Sequence, residues 1–249
     1  MTAPSTPRHE TSVRSAARWA GLGYLAIFAL AMFANFFVLE RVFDPADAQA
    51  TLDGVAANGG LLRWGIIAFA AVFLVDIVVA WALYVLFRPV HRDLSLLAAW
   101  ARLTYTVFLG VGLVFAVAAL LIAENSTEAT AADVQLAMRS FEMTWLIGLT
   151  AFGVHLIVLA RLMSVSAGAP RWLTVALTVA GVAYIVDTGA HILLADYASY
   201  ADTFLVIVAV PSVVGELGLT VWLLRIAAHR TATPAATSLE AERVSTTVS

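Results

Sequence analysis

Residues 62–87 read LRWGIIAFAAVFLVDIVVAWALYVLF. Beyond Arg63 the run is apolar for longer than the ~20 residues a helix needs to cross a hydrocarbon core at 1.5 Å per residue. One acid, Asp76, sits in its middle. Five further runs of the same kind lie near 19–39, 96–123, 141–162, 172–194 and 203–226. Backbone in lipid must satisfy its own hydrogen bonds, so runs of this length form helices. The fold class is therefore all-α, a polytopic transmembrane bundle of six helices with short outer-side amphipathic segments. The composition agrees: of 249 residues 61% are hydrophobic and 12% charged, with a mean hydropathy of +0.90, whereas soluble domains hold roughly 45–50% and about 25%. Absence of cysteine excludes disulfide frameworks and thiolate chemistry. A net charge of −3 without a single lysine argues against a nucleic-acid partner. The lipid bilayer is the partner that the composition demands.

The organisation expected is a disordered cytoplasmic tail over 1–14, the six-helix domain over 15–228 and a second disordered cytoplasmic tail over 229–249. Both tails are rich in Thr, Ser, Ala and Pro. The first run is too long for the 7–15-residue core of a cleaved signal peptide and reads as a retained span. Local punctuation sets the borders. Asp44-Pro45 opens a short helix in the first long loop and Asn58-Gly59-Gly60 closes it. Arg88-Pro89 ends the second span, and Asp93 or Ser95 is placed to cap the third. Ser126 or Thr127 is placed to cap a polar helix, EATAADVQLAMRS, leading into the fourth. Pro170 stands where the fifth begins. The short helix around 43–56 carries an apolar face and reads as a cap over the bundle, with a gate as the alternative.

Arginine sets the orientation. Six spans put both ends of the chain on one side, and eleven arginines fall there, Arg88, Arg92, Arg102, Arg161 and Arg225 among them. Only Arg41, Arg63 and Arg139 fall opposite. The reading is a cell-membrane protein with both termini cytoplasmic. Trp19, Trp100, Trp172 and Trp222 then mark an inner aromatic belt, and Trp64, Trp145, Tyr197 and Tyr200 an outer one.

Three acids remain inside spans: Asp76, Asp187 and Glu216. With His155 they form the candidate intramembrane polar cluster. An ionisable group at the bilayer centre costs at least ~2.5–3.5 kcal/mol, so it must face protein or water. Asp76, His155 and Glu216 each lie about 20 Å of helix below the outer edge, a common middle layer, and Asp187 about 10 Å below it. Asp187 and His191 are four apart on one helix face and are weak candidates for a metal pair. Pro211 removes a donor five residues before Glu216, and Gly215 lets a neighbouring helix approach beside it.

Asp76 with LYVLFRPVHR, FGVHL with His155, GAPRWL, GVAYIVDT with Asp187 and PSVVGELGLTVWLL with Glu216 occur in this order across residues 19–226. In that series the chain resembles bacterial six-helix membrane proteins grouped as domain-of-unknown-function family 4386. His91 and Thr188 stand where asparagine and serine are expected of relatives, and Arg161 interrupts a turn usually less charged. The resemblance implies the fold and brings no reaction, substrate or cofactor. Three functional classes fit the residues. The preferred one is an accessory or structural membrane protein whose polar groups hold helices together. The alternatives are a proton-coupled or small-molecule carrier using midplane carboxylates, and an intramembrane metal-dependent enzyme. No cofactor is implied; a small-molecule ligand and a second copy of the chain are the other partners considered.

The topology is open to a direct check. With cysteines placed singly at Thr6, Ala50, Thr130 and Thr237, an impermeant thiol reagent applied to intact cells should label Ala50 and Thr130 alone. Labelling of Thr6 or Thr237 instead would invert the orientation.

Overall fold

In the computed structural model the described residues are 11–125, 130–166 and 168–228. The first span, α1, runs Val13–Val42. It starts as an α-helix and passes through a π-helical segment, Phe33–Leu39. A short helix, α2, covers Ala48–Ala57. The remaining spans are α3 (Gly59–Phe87), α4 (Arg92–Asn125), α5 (Ala131–Ser164), α6 (Arg171–Leu193) and α7 (Ala201–Ala228), the last entered through a 3₁₀ turn, Tyr197–Tyr200. Six of these segments are long and apolar enough to cross a membrane, and no strand occurs among the described residues. The protein is a multi-pass membrane protein, and the bilayer is its environment. The expected tails fall largely outside the described residues, as do Ser126 and Thr127.

Each span packs on the next, and α7 returns to α1. The six therefore form a ring in chain order, α1–α3–α4–α5–α6–α7. Closure is made at the end of the bundle where the described chain begins and finishes. There Gly21 meets Leu224, and the Arg14 guanidinium donates from Nε to the carbonyl of Ala227 at 2.7 Å. At the opposite end α2 lies across α5, α4 and α3. Its Val55 enters a cluster with Val38, Val42, Leu62, Leu120 and Met138. That is the expected cap over the bundle. Outward-facing Leu74, Val107, Val175 and Leu205 are exposed, as they must be where the surrounding medium is acyl chain.

Several local borders differ from those read in the sequence. The first loop helix starts at Ala48 with Asp47 accepting from the N–H of Ala50 at 3.0 Å, and Asp44 instead accepts from the N–H of Ala46 in the turn before it. Asp93 and Ser95 already lie within α4. The free N–H of Leu94 donates to Nδ1 of His91, while the Ser95 hydroxyl crosses to the carbonyl of Tyr84. The fourth span begins with Thr130, whose N–H and hydroxyl both donate to Asp133. In each case a polar side chain nearer the helix start, or one helix turn back, reaches the same unsatisfied donors.

The closest helix crossing is between α5 and α6. A Cβ added at Gly153 would stand against the carbonyl oxygen of Gly181, and one at Gly181 against that of Gly153. Backbone-to-backbone contact of this kind admits only glycine on both helices. Gly215 on α7 likewise lies against Leu177 of α6, at the approach the sequence leads one to expect.

Gly153→Ala and Gly181→Ala should each destabilise the folded protein by about 1–3 kcal/mol through overpacking. Gly189→Ala, whose Cβ would meet nothing, should be silent. Thermal unfolding of purified protein in detergent reads all three. Equal midpoints for the three variants would refute the crossing.

Candidate functional site

The polar centre of the bundle is built around Arg102. The arginine count places this residue at the cytoplasmic edge, whereas the structure buries it inside the bundle. α4 begins at Arg92, so Arg102 lies about 15 Å along the helix. On the antiparallel neighbour, Asp76 lies about 17 Å from the end of α3 at Phe87. The two side chains meet at the same level, and each is only 1% exposed.

All three guanidinium nitrogens of Arg102 are engaged. Nε and Nη2 both donate to Oδ1 of Asp76, at 2.9 and 2.5 Å. Nη1 donates to the Tyr24 hydroxyl on α1 at 2.6 Å and lies 3.3 Å from Nε2 of His155 on α5. The other ring nitrogen of His155 stands 2.8 Å from the carbonyl of Ala98. A carbonyl only accepts, so Nδ1 carries the hydrogen and Nε2 is the acceptor for Arg102. The imidazole in this arrangement is neutral. The guanidinium also lies 4.6 Å from the centre of the Tyr24 ring and 5.3 Å from that of Phe152, within cation–π range.

The pairing with Asp76 is one-sided. A guanidinium and a carboxylate ordinarily meet fork to fork, one N–H to each oxygen. Here both bonds go to Oδ1. Oδ2 is buried and, among the described residues, has no hydrogen-bond partner.

Asp76 and Arg102 open onto a cavity of about 280 Å³ whose walls come from all six spans. Glu216 of α7 lines it too. Its Oε1 accepts a long bond, 3.3 Å, from the hydroxyl of Tyr184 on α6. The other walls are mainly aromatic: Tyr24, Tyr105, Trp145, Phe152 and Tyr184. Trp145 does not stand in an outer belt as the sequence suggests. It turns inward, packs on Phe69 and Phe141, and donates from its indole nitrogen to Tyr105 at 3.3 Å.

Of the four residues proposed as a cluster, the structure brings Asp76 and His155 onto one cation and sets Glu216 in the same cavity. Asp187 is elsewhere. It accepts 2.7 Å from Tyr197, and His191 stacks on that tyrosine at 3.5 Å while its Nδ1 reaches the Asp187 carbonyl at 3.0 Å. These contacts fasten the α6 end to the 3₁₀ turn. Among the described residues no three His, Asp or Glu side chains converge as metal ligands. Arg102, Tyr24 and Tyr184 are the members that sequence reading missed. The signal for Arg102 was its position inside an apolar run, at a depth matching Asp76.

Removing either charge of the buried pair should cost about 3–5 kcal/mol, because the other charge is left without a partner. Asp76→Asn and Arg102→Gln should each lower the unfolding midpoint strongly, and the double variant should lose much less than the two losses added. Additive losses would mean that the residues do not pair.

The family model described as "Domain of unknown function (DUF4386)" matches residues 19–227. An uncharacterized protein of Archaeoglobus fulgidus is 27% identical over 124 residues, which cover 50% of this chain and 65% of that relative. The chain thus spans less than two-thirds of the length of the curated relative it matches. No solved structure matches. With the match running over almost the whole of the six-span ring, the chain belongs to the DUF4386 family.

Proposed function

We propose that this protein is a small-solute carrier, with the intramembrane cavity as its binding site and Glu216 as a carboxylate that exchanges a proton during transport. The observation that carries the reading is the spare oxygen of Asp76. Polar residues that serve only to join helices have every reason to satisfy one another, since a buried acceptor left unpaired costs about 1–3 kcal/mol. Asp76 leaves its buried Oδ2 without a partner among the described residues, and the same residue lines a cavity large enough for a small molecule. A ligand or water donor occupying the cavity removes that penalty. The accessory reading leaves the cavity without a purpose, and among the described residues no group of three ligating side chains supports a metal-dependent enzyme.

Glu216 is suited to the moving part. Its one side-chain bond is long and comes from a neutral hydroxyl, and it rides on the helix with the least lateral support. In the first half of α7, Leu205, Val206, Val210, Val213 and Val214 are all exposed. Pro211 lies within α7 and cannot donate to the carbonyl of Ile207. A bend there lets the first half of α7 move against α6, with Glu216 just past the hinge, while the Gly21–Leu224 contact holds the far end of the helix to α1. Groups facing Glu216 across the cavity are Tyr24, Asp76, Arg102, Tyr105 and Tyr184. Arg102 is occupied by Asp76, so a charge on Glu216 is the one that a proton or a solute must balance.

Orientation with both termini cytoplasmic is part of the proposal. Setting Arg102 inside the bundle leaves ten arginines against three, which still favours that side.

In proteoliposomes with an imposed pH gradient, presented with panels of organic cations, organic anions, amino acids and sugars, at least one class should accumulate only while the gradient lasts. Glu216→Gln should abolish that accumulation while keeping the thermal midpoint near wild type, because the amide keeps the shape and has no proton to exchange. Absence of gradient-driven uptake for every class would refute the carrier. So would a Gln variant that transports like wild type.

A further inference from the structure

We infer that the solute held in the cavity is an organic ammonium ion. This inference rests on the carrier reading of the same site and names its substrate class. The charges come first. Arg102 is matched by Asp76 through two hydrogen bonds to one oxygen. No second arginine lines the cavity among the described residues, which leaves Glu216 as its unmatched charged group. An anionic solute meets two carboxylates and a cation already spent; a cationic one meets Glu216, with the like charge of Arg102 held on Asp76.

The walls decide between an inorganic and an organic cation. Small metal ions take shells of oxygen ligands, whereas this cavity is lined mainly by aromatic side chains. Tyr24 and Phe152 already stack on one delocalised cation, the guanidinium of Arg102. Phe28, Tyr105, Trp145 and Tyr184 stand around the remaining volume, and none of them stacks on a cation among the described contacts. Aromatic faces beside a carboxylate attract alkylated ammonium groups through the ring quadrupole, most strongly where water is excluded. A volume of about 280 Å³ accommodates an amine of modest size.

A second cavity supplies a path with the same character. About 410 Å³ in volume, it lies at the α2 end between the π-helical segment of α1 and α5. Trp145 is a wall of both cavities. The outer one is lined by two more carboxylates, Glu40 and Glu142, and by Asn35, Phe36 and Phe141, with Arg139 beside it on the carbonyl of Pro45. The π-helical register carries Asn35, Phe36 and Leu39 of this wall, and π segments recur where a helix is adapted to a site. An ammonium ion moving inward passes from Glu142 along the indole of Trp145 to Glu216. Arriving there, it replaces the proton on the Glu216 carboxyl; the proton leaves to solvent and charge is conserved.

Full-length protein purified in detergent and titrated by calorimetry with tetramethylammonium, choline and benzyltrimethylammonium chlorides tests this. The control is 3,3-dimethylbutan-1-ol, in which carbon replaces the choline nitrogen. At least one ammonium ion should bind saturably, about tenfold or more tighter than the neutral alcohol, with affinity rising as pH rises because the proton competes for Glu216. Glu216→Gln and Trp145→Leu should each weaken it by about tenfold, a change of 1.4 kcal/mol, while both variants keep a cooperative thermal transition. Equal binding of choline and the alcohol would overturn the inference, and so would charge-selective binding that survives Glu216→Gln unchanged. If no ammonium ion binds while proteoliposomes accumulate another solute class, the ammonium assignment falls and the carrier stands. Charge-selective binding at Glu216 without uptake of any class supports the assignment of the site and removes the carrier.

Discussion

A guanidinium group in the middle of a membrane must find its partners within the protein, because no water is there to supply them. Arg102 carries that constraint for this bundle. Its donors reach Asp76 on α3, Tyr24 on α1 and His155 on α5, and the imidazole returns a bond to the carbonyl of Ala98 on α4, the helix of Arg102. Four of the six spans are thereby held in one register along the membrane normal. A slip of one helical turn in any of them would move a side chain about 5 Å and leave a buried charge or donor unpaired. Apolar side chains facing lipid and protein alike give no comparable register, since acyl chains and leucines are equivalent surroundings.

The remaining two spans are held differently. α6 joins α5 through the Gly153–Gly181 crossing, where backbone touches backbone. α7 is tied to α1 near the described chain ends and to α6 beside Gly215. Among the described residues its bond into the polar centre is the 3.3 Å contact between Tyr184 and Glu216. Four of the spans are thus fixed by charge, and the other two by close packing that leaves α7 the least constrained. Such an arrangement is what a binding site needs if one wall is to move while its anchor stays still.

The cavity between these two groups of spans is lined by polar side chains and by aromatic ones. Asp76 and Arg102 lie at the junction of the anchored helices, and Glu216 comes from the looser one. Two carboxylates in one cavity with different partners have different work open to them. The first is spent on holding Arg102 and offers one spare oxygen. The second accepts, among the described residues, a single long bond from Tyr184, and the proposed exchange falls to it.

The sequence by itself determined the class of fold, because a bilayer reads length and hydropathy directly: six apolar runs match the six spans in number and order. It also marked Asp76, His155 and Glu216, since any polar group at that depth must be accommodated. What it left open was the company each keeps. Arg102 hid among the other arginines because positive charge near a helix start is ordinarily an orientation signal, and its depth became plain only with α4 starting at Arg92. Asp187 was grouped with the midplane acids by its place in a span, yet its partners are Tyr197 and His191 in a separate cluster. Trp145 was legible as an aromatic at a span end and not as a cavity wall, because which face of a helix turns inward is set by its neighbours. Only the tertiary structure decided these matters. Arg102 meets residues 26, 53 and 78 positions away, and a one-dimensional pattern specifies how deep a side chain lies without specifying what lies beside it.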